Sequence, residues 1–148
     1  MTMPPVGPIK ALIVHHTATR RGLTAQALYN MHVDERGWDD AGYHYFIGGS
    51  YHSGADCALR YCRPVDRMGA HARGGKPFNN RGTLALAIAG DNTVPGREWT
   101  PRQIQAGQRV IDAFQLLYPG LPVLGHREVA DTLCPGVDLK DVFVLGGS

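Results

Sequence analysis

Residues 10–16, KALIVHH, form an apolar run that closes on two histidines. A short run of this kind, with β-branched members, is the pattern of a strand covered on both faces. Covering both faces requires a layer on each side, and for a chain of 148 residues those layers are most simply helices. TLALAIAG, residues 83–90, is a second run of the same kind.

The remaining segments supply the layers. Thr24 is a suitable N-cap for a helix reaching about Glu35, with Ala27, Leu28 and Met31 at helical spacing and Gly37 as its stop. Thr100 caps a second helix that has Pro101 at its first position. Its apolar stripe is Ile104, Val110, Ile111, Phe114 and Leu117, and YPG ends it. GYHYFIGG reads as a strand with SYHSG as its hairpin return, LPVLGH as a last short strand, and the tail from Asp138 as a short helix. RGGKPFNNRG, residues 73–82, is a loop by composition. The expected fold is α/β: a single domain over 1–148, with a short extended lead-in over 1–8. Its central mixed, mostly parallel β-sheet is flanked by helices on both faces.

Composition narrows the partners. A net charge of +2 lacks the basic density that nucleic acid binding requires, so no nucleic acid partner is expected, while an acidic polymer is tolerated. No apolar run approaches the ~20 residues of a membrane span. The N-terminus shows no charged segment followed by an apolar one, so the expected site of synthesis is the cytoplasm, with export through separate machinery. Three cysteines, an odd number, argue against a disulfide framework. In a reducing compartment a cysteine near histidines is more often a ligand or nucleophile.

His15, His44 and His126 stand where strands give way to loops, the usual place for a site in such sheets. Adjacent strand side chains face opposite ways, so only one of His15 and His16 can aim at a given point. In GHREVADTLCPG, Cys134 follows His126 within one loop. With a strand-end histidine they make an N/N/S set, the three-ligand arrangement of catalytic zinc. The same pair also suits a cysteine nucleophile with His126 as base.

VHHTAT, GWDDAGYHYFI, MGAHARGGKPFNNRGTLALAIAGDN and LPVLGHREVADTLCPGVDL, in that order, resemble the type-2 N-acetylmuramoyl-L-alanine amidase family. That family includes the phage amidases called lysozymes and the peptidoglycan recognition proteins. The resemblance covers roughly Ile9 to Val142. It implies one Zn2+ held by His15, His126 and Cys134, and selects His15 over His16, leaving His16 to packing. It implies Tyr43 as a catalytic partner. Phage members carry a catalytic lysine two residues before the cysteine; this chain has Thr132, as active recognition proteins often do, and Thr132 is expected to act with Tyr43 by donating a second hydrogen bond. His44, His71 and Asn80 are candidate substrate contacts, the last two in the loop that flanks the groove in relatives. His32 and His52 are expected at the surface, Cys57 and Cys62 as free thiols. Arg20, Arg21, Arg60 and Arg63 are expected as a solvated face able to hold an acidic wall polymer.

The implied reaction is hydrolysis of the amide between N-acetylmuramic acid and L-alanine in bacterial peptidoglycan, by a monomer. The implied setting is a phage or prophage endolysin reaching the periplasm or cell wall through a holin-like route. The alternatives are a peptidoglycan receptor without hydrolysis, and an amidase that also binds a polymerase, as one phage relative does.

Overall fold

A computed structural model describes residues 3–38, 40–49 and 57–146. Five strands form one sheet: β1 (Ala11–His16), β2 (Tyr45–Ile47), β3 (Leu59–Tyr61), β4 (Thr83–Ile88) and β5 (Val123–Gly125). Their order is β3-β2-β4-β1-β5. β1 runs parallel to both β4 and β5, and β2 runs parallel to β4; only the edge strand β3 is antiparallel. This is the expected mixed, mostly parallel sheet. The proposed hairpin return over 50–54, with His52, lies outside the described residues; the strand paired with β2 is β3.

The two apolar runs became the two central strands, and every residue of β1 and β4 is buried. Their side chains divide by parity. Leu12, Val14, Leu84, Leu86 and Ile88 face α2 (Pro101–Leu117) and pack on Val110, Ile111 and Phe114, joined by Leu139 of α3 (Leu139–Val142) and by Phe143. On the other side of the sheet Phe46 and Ala87 meet Leu28 of α1 (Ala25–Asn30), while Ala11 and Ile13 meet Val129. Helices therefore cover both faces.

Helix ends follow the expected capping chemistry. The Thr24 oxygen accepts from the Ala27 N–H, and Thr100 and Gln103 form a reciprocal box around Pro101. α1 continues into a wider-wound turn, Met31–Glu35, and Gly37 follows at φ +71°. One residue of the predicted stripe departs: Leu117 is 72% exposed. Tyr118, four positions after Phe114, takes the inward place with its ring 5.1 Å from that of Phe114. The lead-in is extended and tied down. Val6 is buried, and its N–H donates to Asp66 O at 3.0 Å while its carbonyl accepts from Gly82 at 2.7 Å.

Candidate metal centre and active site

Strand parity separates the two histidines of β1. His16 shares the α2 side with Leu12 and Val14; its Nδ1 accepts from the Asn92 N–H at 3.2 Å, and the Asp91 carboxylate lies 3.8 Å away. It packs behind the site. His15 lies on the opposite side with Ala11 and Ile13 and is 2% exposed. Val14 pairs with Gly125 across parallel β1 and β5, so the residues that follow, His15 on β1 and His126 just past the end of β5, come together. Their ring centroids are 4.6 Å apart.

Cys134 reaches the same point from a loop held at several places. Its carbonyl accepts from the Arg127 N–H at 2.6 Å, its N–H donates to Thr132 Oγ1 at 3.2 Å, and Asn92 Nδ2 donates to Pro135 O at 2.8 Å. An ion pair between Arg127 and Asp138 closes the loop from outside. Gly136 sits at φ +81°, a conformation that L side chains rarely adopt. The result places Cys134 Sγ 3.7 Å from His15 Nδ1. One ligand atom from each of His15, His126 and Cys134 lies within 4.8 Å of the other two.

Burial decides the protonation states. It holds the His15 imidazole well below its ordinary range, with His71 and His126 adding to the effect, and it lowers His126 as well. Both rings are therefore neutral near pH 7, as metal ligation requires. Burial pushes the Cys134 thiol up to about 12, so without a cation the sulfur keeps its proton. Tyr43 stands beside this centre, its ring 5.1 Å from that of His15. Burial first, and Cys134 second, raise its phenol above the ordinary value, so Tyr43 offers a donor rather than a base.

The three residues expected as substrate contacts are each hydrogen-bonded within the protein. His44 is fully buried; its Nδ1 accepts from the Ala85 N–H at 3.0 Å and its Nε2 lies 2.7 Å from Arg67 O. Both nitrogens are engaged, so the ring braces β2 against β4. His71 is 9% exposed and lies beneath His15, with its Nδ1 2.9 Å from His15 Nε2. Asn80 turns inward, its Oδ1 accepting from the N–H groups of His71 and Ala72 at 2.8 and 2.7 Å. These residues shape the centre from behind.

Two further expectations are corrected. His32 is buried, not superficial: it stands four positions after buried Leu28, and its Nδ1 accepts from the Gly42 N–H at 2.8 Å. Arg63 is 6% exposed, its guanidinium donating to the carbonyls of Ala41, Met68 and Asp40. Paired with those carbonyls, it belongs to the interior rather than to a solvated face. Cys57, Cys62 and Cys134 are unbridged thiols. No described helix is long and apolar enough to cross a membrane. Thr83, which turns out to support His71, had no signal in the sequence beyond its place at the head of a strand.

A family model for N-acetylmuramoyl-L-alanine amidase matches residues 5–137. Peptidoglycan-recognition protein SC1a of Drosophila melanogaster is 34% identical over 137 residues, covering 86% of this chain and 68% of that protein. The endolysin of Klebsiella phage KP32 is 28% identical over 133 residues, covering 87% and 82%. Among solved structures, the Ph2119 endolysin of a Thermus scotoductus bacteriophage superposes with a TM-score of 0.77 at 26% identity, over 91% of this chain and 82% of its own.

Proposed function

The chain belongs to the N-acetylmuramoyl-L-alanine amidase family, and from that premise we propose that it is a zinc-dependent peptidoglycan hydrolase. The bond cut is the amide joining N-acetylmuramic acid to L-alanine. The observation that carries the reading is the meeting of His15, His126 and Cys134 beside Tyr43.

The donor set fits the metal. Tetrahedral zinc with Zn–N of about 2.0 Å and Zn–S of about 2.3 Å spaces its ligand atoms roughly 3.3–3.6 Å apart. The 3.7 Å between Sγ and Nδ1 matches that edge, and two imidazoles with a thiolate suit zinc better than magnesium or calcium. Three protein ligands are the count of a catalytic site. Zinc bound there would supply Lewis acidity, acidifying a water and polarising the amide carbonyl.

The chain's own residues do the rest. Cys134, as thiolate, brings one negative charge to the centre and leaves it a milder acid than three imidazoles would. The phenol of Tyr43 stays protonated and donates a hydrogen bond to the oxygen on which charge develops as the amide carbon becomes tetrahedral. The Thr132 oxygen accepts from Cys134 N–H, which leaves its own proton available to a second acceptor at the reacting group.

The phage endolysins among its relatives support the endolysin reading, and the proposed route to the wall is from the cytoplasm through a holin-like path. The test is digestion of purified cell wall followed by mass spectrometry. Expected products are stem peptides with a free L-alanine amine and glycan strands with intact lactyl groups, lost with a chelator and restored by zinc. Tight wall binding with no released amine would replace hydrolysis by the receptor reading that the recognition-protein relatives favour. Cleavage indifferent to chelator but abolished by a thiol alkylator would make Cys134 a nucleophile instead.

A further inference from the structure

A column of hydrogen bonds runs from His15 into the sheet. His15 Nε2 lies 2.9 Å from His71 Nδ1, His71 Nε2 lies 3.1 Å from Thr83 Oγ1, and Thr83 Oγ1 lies 2.6 Å from the Asn79 carbonyl oxygen. All three side chains are buried, Thr83 completely.

The direction of every bond follows from the last one. A carbonyl only accepts, and a hydroxyl has one proton. Thr83 therefore donates to Asn79, and its oxygen accepts from His71. The His71 proton is then on Nε2, which leaves the lone pair on Nδ1. That lone pair accepts from His15, whose proton is likewise on Nε2. The lone pair of His15 is left on Nδ1, the atom facing Cys134 Sγ. Reversing the column would set two oxygens 2.6 Å apart with no proton between them.

We propose that the Asn79 carbonyl, acting through Thr83 and His71, fixes the tautomer of His15 and aims its Nδ1 lone pair at the metal position. His71 and Thr83 are positioning residues for a ligand, not substrate contacts. The surroundings hold the column in place. Asn80 Oδ1 anchors the backbone of His71 and Ala72. Gly69 leaves the room the rings need, since a Cβ there would come within 2.6 Å of His71 Cδ2 and 3.0 Å of His44 Cε1. A histidine ligand usually gives its second proton to a carboxylate, a carbonyl or water. Here a neutral imidazole relays it to a carbonyl, so no second negative charge enters the centre.

The inference rests on the zinc reading for its purpose, while the tautomers can be measured without metal. Long-range 1H–15N spectra should show protonated Nε2 and unprotonated Nδ1 on both His15 and His71 in the metal-free protein, and the same protonated Nε2 on both rings, with the His15 Nδ1 signal moved by ligation, in the zinc-loaded one. Thr83→Val removes the hydroxyl; it should blur the His15 signature and weaken zinc affinity, measured by chelator competition, about 10–100-fold. Thr83→Ser should restore both. A wild-type His15 protonated on Nδ1, or a Thr83→Val protein with unchanged tautomer and affinity, overturns the proposal. The wild-type spectra decide the tautomers even where a variant fails to fold. A protein with the stated tautomers that binds no zinc supports the column and overturns the zinc reading instead.

Discussion

The Nδ1 of His15 lies 3.7 Å from the Sγ of Cys134, across 119 positions of sequence. Near neutral pH that pair holds one removable proton, on sulfur, because burial pushes the thiol up to about 12 and the imidazole down. Zinc requires the thiolate, so uptake should release one proton. Zinc affinity should therefore rise about tenfold per pH unit between roughly pH 7 and 9. Chelator competition across that range checks it. Cys134→Ser should bind zinc more weakly and lose the slope.

Tyr43→Phe removes one donor beside His15 and leaves the ring in place. Loss of a preorganised donor of this kind costs about 10²–10³ in kcat. We expect that loss in wall-digestion assays, with zinc content unchanged. Zinc lost together with activity would show that the hydroxyl supports the centre rather than the reaction.

Thr132 has two duties, since its oxygen accepts from the Cys134 N–H. Thr132→Lys replaces the donor with an ammonium but provides no acceptor for that N–H. The expected result is retained zinc, measurable turnover, and a stability loss of about 1 kcal/mol in denaturant unfolding. Complete inactivity with zinc retained would mean the position is more than a donor.

His32 carries an acid-dependent cost. Burial first, then Arg36 and Arg63, lower its imidazole from 6.5 to about 4. As pH falls below about 6.5 the unfolded chain takes up this proton before the folded one does, so stability drops toward pH 4. The contribution is roughly 3 kcal/mol at most. His32→Gln keeps an acceptor for the Gly42 N–H and removes the titration, so its Tm should fall less steeply over that range.

Gly42→Ala should destabilise. A Cβ there would lie 2.4 Å from the Ala70 carbonyl oxygen, and that backbone is held close because the Ala70 N–H donates to Gly42 O at 2.9 Å. Backbone cannot swing aside as a side-chain tip can, and overpacking of this kind costs about 1–3 kcal/mol. A lowered Tm in a thermal melt is the readout, with weaker activity because Tyr43 is the next residue.

The sheet was legible because KALIVHH and TLALAIAG have no other comfortable home than the middle of a covered sheet, and both became central strands. The helix starts were legible from Thr24 and from Thr100–Pro101, where local chemistry dictates the cap. His15 could be told from His16 only by resemblance, since parity says that they diverge but not which way. The internal partners of His44, His71 and Asn80 were not legible because polar residues near a strand end look alike whether they face solvent or a buried partner. Their partners are backbone groups of Ala85, Arg67 and Ala72 and the ring of His15, and no local pattern announces those contacts. His32 was readable in principle, since it falls four positions after Leu28; its polarity hid the helical period.

The alternation along β4 has a wider consequence. Leu84, Leu86 and Ile88 grip α2, while Thr83, Ala85 and Ala87 look toward the imidazoles. Cohesion and reactivity thus sit back to back, one peptide thickness apart. On the proposed function, a substitution on the imidazole side can alter the chemistry while the greasy underside goes on holding the chain together.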